Sequence, residues 1–136
     1  IENIMALADY FIPCEDFLDS PQLKCSGWTF EEKIAVLNSK VSGRLIVTRG
    51  EKGAYYFSGD TVCHVPVPES ALVTAIDTVG AGDNFHGTFA LAISRGLNLH
   101  EAVRLSVAVA SLSCREYGGR KGVPGWEEAS NLAVLL

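Results

Sequence analysis

The 136-residue chain predicts an α/β fold of three layers, with a mostly parallel sheet flanked by helices. Three observations carry this expectation. Short β-branched and aromatic runs alternate with longer stretches of helical periodicity. Two capping boxes, Thr29-Phe30-Glu31-Glu32 and Asn98-Leu99-His100-Glu101, mark helix starts. A glycine-containing turn, Gly80-Ala81-Gly82, joins an apolar run to a helical one.

The elements follow in chain order. Ala8-Asp9-Tyr10-Phe11-Ile12 reads as a short buried strand stopped by Pro13. The first capping box opens a helix over 30–40. Arg44 to Thr48 is β-branched and apolar, as a strand in a sheet core is. Gly50 and Gly53 punctuate a turn. Gly53 to Phe57 and Thr61 to Val65 form a hairpin around Ser58-Gly59-Asp60, and Pro66-Val67-Pro68 breaks further pairing. The apolar run Leu72-Val73-Thr74-Ala75-Ile76 is expected to be a strand ending at Asp77. A helix follows over 82–95, ended by Gly96. The second capping box opens a helix to about Arg115. Gly118 to Gly122 is a loop, and a last short helix begins near Gly125-Trp126.

Composition narrows the class. The chain is 48% hydrophobic and 20% charged, an ordinary globular balance. Its net charge is −5 with Lys and Arg scattered, which argues against a nucleic-acid surface. No run approaches the ~18 apolar residues of a membrane span, so no membrane partner is expected. Ile1-Glu2-Asn3-Ile4 has no basic n-region, so a signal peptide is not expected. Cys14, Cys25, Cys63 and Cys114 show no C-x-x-C spacing and read as reduced thiols of a cytoplasmic protein.

The chemistry concentrates at Asp77-Thr78-Val79-Gly80-Ala81-Gly82-Asp83. Small residues let a backbone turn tightly and leave its N–H groups bare. A helix start adds orphan N–H groups and a partial positive charge. Together they make a cradle for phosphate or another developing anion. Asp83 at its mouth reads as a base facing an attacking hydroxyl. The same residue also reads as an ordinary acidic residue at a helix start. The run is no P-loop, because no Gly-Lys-Ser/Thr occurs. It is no dinucleotide fingerprint, because Phe85 stands where the third Gly should fall.

Asp77 to Asp83, with Asn84-Phe85-His86-Gly87 after it, resembles the C-terminal signature of the ribokinase-like (PfkB) carbohydrate kinases. Val47-Thr48-Arg49-Gly50-Glu51-Lys52-Gly53-Ala54 resembles the same family's Val-Thr-x-Gly-x-x-Gly nucleotide segment. The resemblance extends from Ala8-Asp9 to Gly122-Val123-Pro124. It implies a ribokinase-like fold and ATP-dependent phosphorylation of a sugar or sugar-like hydroxyl with Mg²⁺. Such kinases are roughly twice this length. Residues 1–136 would then be the nucleotide-binding and catalytic C-terminal part, with the sugar-binding and lid part absent.

The resemblance assigns roles. Asp83 would take the proton of the attacking hydroxyl. Gly80, Ala81 and Gly82 would form the anion hole, although a close helix–sheet contact also demands small residues. Thr48, Arg49, Gly50 and Gly53 would line the nucleotide, although a turn alone also calls for glycine. Asp77 would either bind a monovalent cation such as K⁺, with carbonyls of the Arg115–Gly122 loop, or cap the motif loop. With both strands ending at Thr48 and Asp77, the two loops can line one site.

The chain departs from the family at Pro13-Cys14-Glu15-Asp16-Phe17. Cys14 replaces the Asn, and Phe17 the Glu, of an Asn-x-x-Glu that helps order Mg²⁺. Glu15 or Asp16 could substitute, out of register. Cys63-His64 does not read as a metal site, since adjacent strand residues face opposite ways. His86 could flank the site but reads as a packed or solvent-facing residue. Tyr55, Tyr56, Phe57, Phe85, Phe89, Trp28 and Trp126 read as packing residues. Other readings stay open: a nucleotide-binding module without chemistry, a kinase for a nucleoside or another alcohol, and a chain that completes its sheet by forming a homodimer.

Overall fold

The structure is a computed structural model that describes residues 2–136. In chain order the elements are α1 (Glu2–Leu7), β1 (Tyr10–Phe11), a 3-10 turn (Glu15–Asp19), α2 (Phe30–Lys40), β2 (Arg44–Thr48) and a second 3-10 turn (Gly50–Lys52). Then come β3 (Ala54–Ser58), β4 (Thr61–Val65), α3 (Glu69–Val73), α4 (Ala81–Ser94), α5 (Leu99–Ser113) and α6 (Trp126–Val134). The chain divides into two compact units, residues 2–50 with 54–64 and residues 51–53 with 65–136.

The four strands run in the order β1-β2-β3-β4. Tyr10 pairs with Arg44 and Phe11 with Leu45 in parallel, and a bridge from Cys14 to Thr48 extends that ladder. β2 and β3 are antiparallel, with Ile46 opposite Tyr56 and Thr48 opposite Ala54. The sheet is therefore mixed where a mostly parallel one was expected. The cause lies in the connection: residues 49–53 are far too few for a parallel crossover, which needs a dozen or more. β1 is also shorter and wetter than expected, since it holds two residues and Tyr10 is 38% exposed.

The first unit is built on α2. Thr29 Oγ1 accepts from the Glu32 N–H at 3.2 Å, and the Thr29 N–H reaches Glu32 Oε2 at 2.8 Å. This closes the capping box that the sequence announced. The buried face of α2, Ile34 and Leu37, packs into a core with Met5, Leu18, Leu23, Cys25, Leu45 and Val47. Phe11 and Phe17 pack edge to face against that core, their ring centroids 5.5 Å apart.

The second unit is helical. The apolar run at 72–76 is not a strand. Its first half belongs to α3, which starts after Pro68 with Glu69 in its first turn. Leu72 and Ile76 remain exposed. A five-residue apolar run carries no decisive period, and Pro68 with its fixed φ tips it toward a helix start. Beyond α3, the N–H groups of Ile76 and Asp77 both donate to the Cys114 carbonyl, at 2.7 and 3.0 Å. α4 packs Phe85, Phe89 and Ala92 against α5, whose buried face runs from Ala102 to Val109. Buried Ser106 and Ser111 return their hydroxyls to carbonyls four residues back, at 2.7 and 2.6 Å, so neither is left unsatisfied. α6 packs on α5, and Arg115, just past the end of α5, grips both oxygens of Glu128 with Nη1 and Nη2.

Of the aromatics read as packing residues, Tyr56, Phe85 and Phe89 are buried and Tyr55 and Phe57 are half-buried. The two tryptophans are not core: both are about half exposed, and Trp126 carries the Arg95 guanidinium 4.4 Å over its ring. Cys25 is buried in the first unit and Cys114 in the second, while Cys14 is exposed. Among the described residues no helix is long and apolar enough to cross a membrane.

Candidate active site

α4 begins at the motif. Gly80 is its N-cap in the left-handed conformation, φ 77°. A Cβ on Gly80 would also lie 2.8 Å from the Cα of Gly119, so both conformation and space demand glycine there. The Ala81 N–H donates to the Thr78 carbonyl at 3.1 Å, and the Asn84 N–H to the Gly80 carbonyl at 2.9 Å. Among the described residues nothing accepts from the N–H groups of Gly80, Gly82 or Asp83. These are the orphan donors of a helix start, at its positive end.

Gly82 differs from Gly80. It lies inside α4 without a positive φ, and a Cβ there would meet no atom within 4 Å. The alternative explanation, a close packing contact, therefore does not apply to Gly82 within this chain. Asp83 is exposed in the first turn of α4, and no hydrogen bond or ion pair holds its carboxylate among the described residues. One turn on, His86 is exposed with Nδ1 2.7 Å from the Gly82 carbonyl. A carbonyl only accepts, so Nδ1 carries the proton.

Asp77 is tied down. Its Oδ1 accepts from the Val79 N–H at 3.0 Å and its Oδ2 from the Gly118 N–H at 2.8 Å. These two donors, Gly118 first, pull its carboxyl below the usual range. Asn84 Nδ2 donates to the Gly119 carbonyl at 3.0 Å. The motif loop and the 118–119 loop are thus joined by two side chains and by the Gly80–Gly119 approach. Burial pushes the neighbouring Cys114 thiol up, so it stays protonated and unreactive.

The β2–β3 turn has contacts of its own. The Thr48 N–H donates to the Pro13 carbonyl at 3.0 Å, and its hydroxyl lies 3.5 Å from the same oxygen. Arg49 Nε donates to Glu15 Oε2 at 2.7 Å, and its guanidinium sits 4.0 Å over the Phe30 ring. Gly50 has φ 51° and open space around it. Gly53 has φ 87°, and a Cβ there would lie 2.0 Å from the Val65 carbonyl oxygen. The turn therefore requires Gly53 with or without a ligand.

The departure at 13–17 resolves among the same contacts. Glu15 is committed to Arg49 and Phe17 to the core, leaving Asp16 exposed. No group of three or more His, Cys, Asp or Glu among the described residues could hold a metal ion. His64 of the Cys63-His64 pair stacks on Tyr55, with ring centroids 4.2 Å apart. Two features carry no motif of their own in the sequence: Asn84 as a cross-tie and Glu15 as the partner of Arg49. The Gly118-Gly119 pair was the available signal for the first, since paired glycines invite a close backbone approach.

A glycine turn feeding a helix start, with a free carboxylate beside unclaimed N–H groups, is an arrangement that can receive an anion in an α/β protein. The model for the pfkB family carbohydrate kinases matches residues 1–126, and the chain belongs to that family. The ribokinase of Lactococcus lactis subsp. lactis (strain IL1403) is 37% identical over 89 residues, which cover 65% of this chain and 29% of that protein. The crystal structure of ribokinase from Thermotoga maritima superposes with a TM-score of 0.82 at 30% identity, covering 97% of this chain and 44% of its own. Arabidopsis thaliana ribokinase complexed with ribose and ATP gives 0.81 at 26% identity, covering 98% and 43%. The chain thus has the ribokinase-like α/β fold and spans less than half the length of each of these proteins.

Proposed function

We propose that residues 1–136 form the nucleotide-binding and catalytic part of an ATP-dependent kinase acting on a hydroxyl of a sugar or sugar-like molecule. One observation carries the reading. Asp83 presents an unpartnered carboxylate in the first turn of α4, beside orphan N–H groups and a glycine whose missing side chain the chain itself does not need.

In the proposed step the acceptor oxygen attacks the γ-phosphorus of ATP. An oxygen–phosphorus bond forms, the bond to the β–γ bridging oxygen breaks, and ADP leaves. Asp83 takes the hydroxyl proton. The N–H groups of Gly80, Gly82 and Asp83 meet the charge on the transferring group, where fixed donors act without reorganising. Ala81 contributes its small side chain, and its N–H once the Thr78 turn opens. Thr48, Arg49, Gly50 and Gly53 are assigned to the nucleotide. Arg49 acts there as a fixed wall, because Glu15 and Phe30 already hold its guanidinium. Mg²⁺ would enter with the phosphates, which with water supply most of its ligands, and among the described residues no group of three His, Cys, Asp or Glu would cage it. Acceptor specificity is assigned to residues beyond these 136.

The test is ADP release by the full-length kinase with MgATP and a panel of sugars and nucleosides. Acceptor-dependent release that Asp83→Asn abolishes, with nucleotide affinity kept, is the expected result. Turnover retained in Asp83→Asn would remove Asp83 as the base. Nucleotide binding without release for any acceptor would favour a binding module.

A further inference from the structure

The proposed step gives no part to His86, which lies one turn beyond Gly82 on α4. Its Nδ1 is 2.7 Å from the Gly82 carbonyl and, facing an oxygen that only accepts, carries the proton. The regular helical bond from the His86 N–H ends on the same oxygen, whose two lone pairs can take both donors. The imidazole is fixed in a second way. The ring of buried Phe85 stands edge to face with it, with centroids 6.2 Å apart and planes at 72°.

What the imidazole holds is a whole peptide unit. The Gly82 carbonyl and the Asp83 N–H belong to one plane and point in opposite directions. The Asp83 N–H has no acceptor among the described residues, so the unit is held at its carbonyl end. Gly82 adds no restraint, because nothing packs within 4 Å of the place where its Cβ would be, and a glycine backbone is the most permissive. We propose that His86 is a positioning residue: by gripping the Gly82 carbonyl it keeps the Gly82–Asp83 peptide aimed, so that the Asp83 N–H meets the transferring phosphoryl group. Two donors on the carbonyl also polarise the N–H at the other end of the unit. The part in catalysis rests on the kinase reading, whereas the grip on the peptide does not.

The experiment separates the two. The full-length protein, labelled with nitrogen-15, is studied by NMR at about pH 8, above the ordinary histidine range. The nitrogen shifts of wild-type His86 should place the proton on Nδ1, and the Asp83 amide should have the order parameter of rigid backbone, about 0.85. His86→Ala should lower that order parameter, while the thermal midpoint holds or rises because alanine is the better helix former. His86→Asn, whose Nδ2 can donate to the same carbonyl, should restore it. Turnover with MgATP and the acceptor panel forms the second arm. His86→Ala should lose about fivefold in kcat, the worth of one net hydrogen bond, with the acceptor KM unchanged, and His86→Asn should regain it. A wild-type imidazole protonated on Nε2 alone would overturn the proposal. So would an Asp83 order parameter or a kcat indifferent to His86→Ala, or a His86→Asn that behaves like His86→Ala. Imidazole and order-parameter results as expected, in a protein that shows no acceptor-dependent release, would uphold the grip and count against the kinase reading alone.

Discussion

Gly82 and Gly80 stand two positions apart and answer to different demands. Gly80 is fixed by its left-handed conformation and by Gly119. Gly80→Ala should therefore destabilise the fold by about 1–2 kcal/mol or more, lowering the denaturation midpoint. Gly82 sits in an ordinary helical position with empty space around it. Gly82→Ala should stabilise α4, by about 0.5–1 kcal/mol, since alanine is the better helix former. If the N–H groups there receive phosphate, the same substitution should weaken nucleotide binding, and Gly82→Val more so. Opposite signs for stability and affinity are the expected signature. Unchanged affinity in Gly82→Val would argue against the cradle. For Asp83→Asn, a loss of turnover of about 10²–10⁴-fold with nucleotide affinity intact is expected of a general base.

At the scale of elements, capping chemistry was the most legible feature. Both boxes appear at the predicted residues, and α2 and β2 have the predicted bounds. Thr29→Ala should cost about 1 kcal/mol, measured as a lower midpoint in urea, because it frees the Glu32 N–H. Gly53→Ala should cost more, since the Val65 carbonyl occupies the space. Four pieces were not legible. α1 and the Glu15–Asp19 turn are short, and the turn carries no side-chain cap. The 72–76 run gave the wrong class because five apolar residues fit either period. The mixed pairing is written in no single strand, because the short β2–β3 connection and not strand composition sets the direction. The candidate site was legible as residue types in order, but its ties were not. Asp77 to Gly118 and Asn84 to Gly119 span 41 and 35 positions, and no local pattern announces a contact at that range.

For the molecule as a whole, family membership sets the fold, and the chain's own charges shape its response to acid. Asp77 is lowered by the Gly118 and Val79 N–H groups, and Glu128 by its hydrogen bond to Arg115. A carboxylate with a depressed folded value adds stability that is complete above its unfolded value. That stability is lost as pH falls through the folded one. The midpoint of thermal unfolding should thus hold down to about pH 5 and decline below the ordinary carboxylate range near about 4. Asp77→Asn should lower the midpoint at neutral pH and flatten that decline. An unaltered acid slope in the variant would show that the ties of Asp77 contribute nothing to stability.

The cysteines supply a built-in readout of how the chain comes apart. Cys25 is buried in the core of one unit and Cys114 in the other. Neither thiol can meet an alkylating reagent until its own unit opens, whereas Cys14 reacts from the start. Timed alkylation with mass-spectrometric peptide mapping would then clock the two openings separately in a single sample. Equal rates at Cys25 and Cys114 would mark one cooperative transition, and unequal rates would rank the units by their resistance to opening.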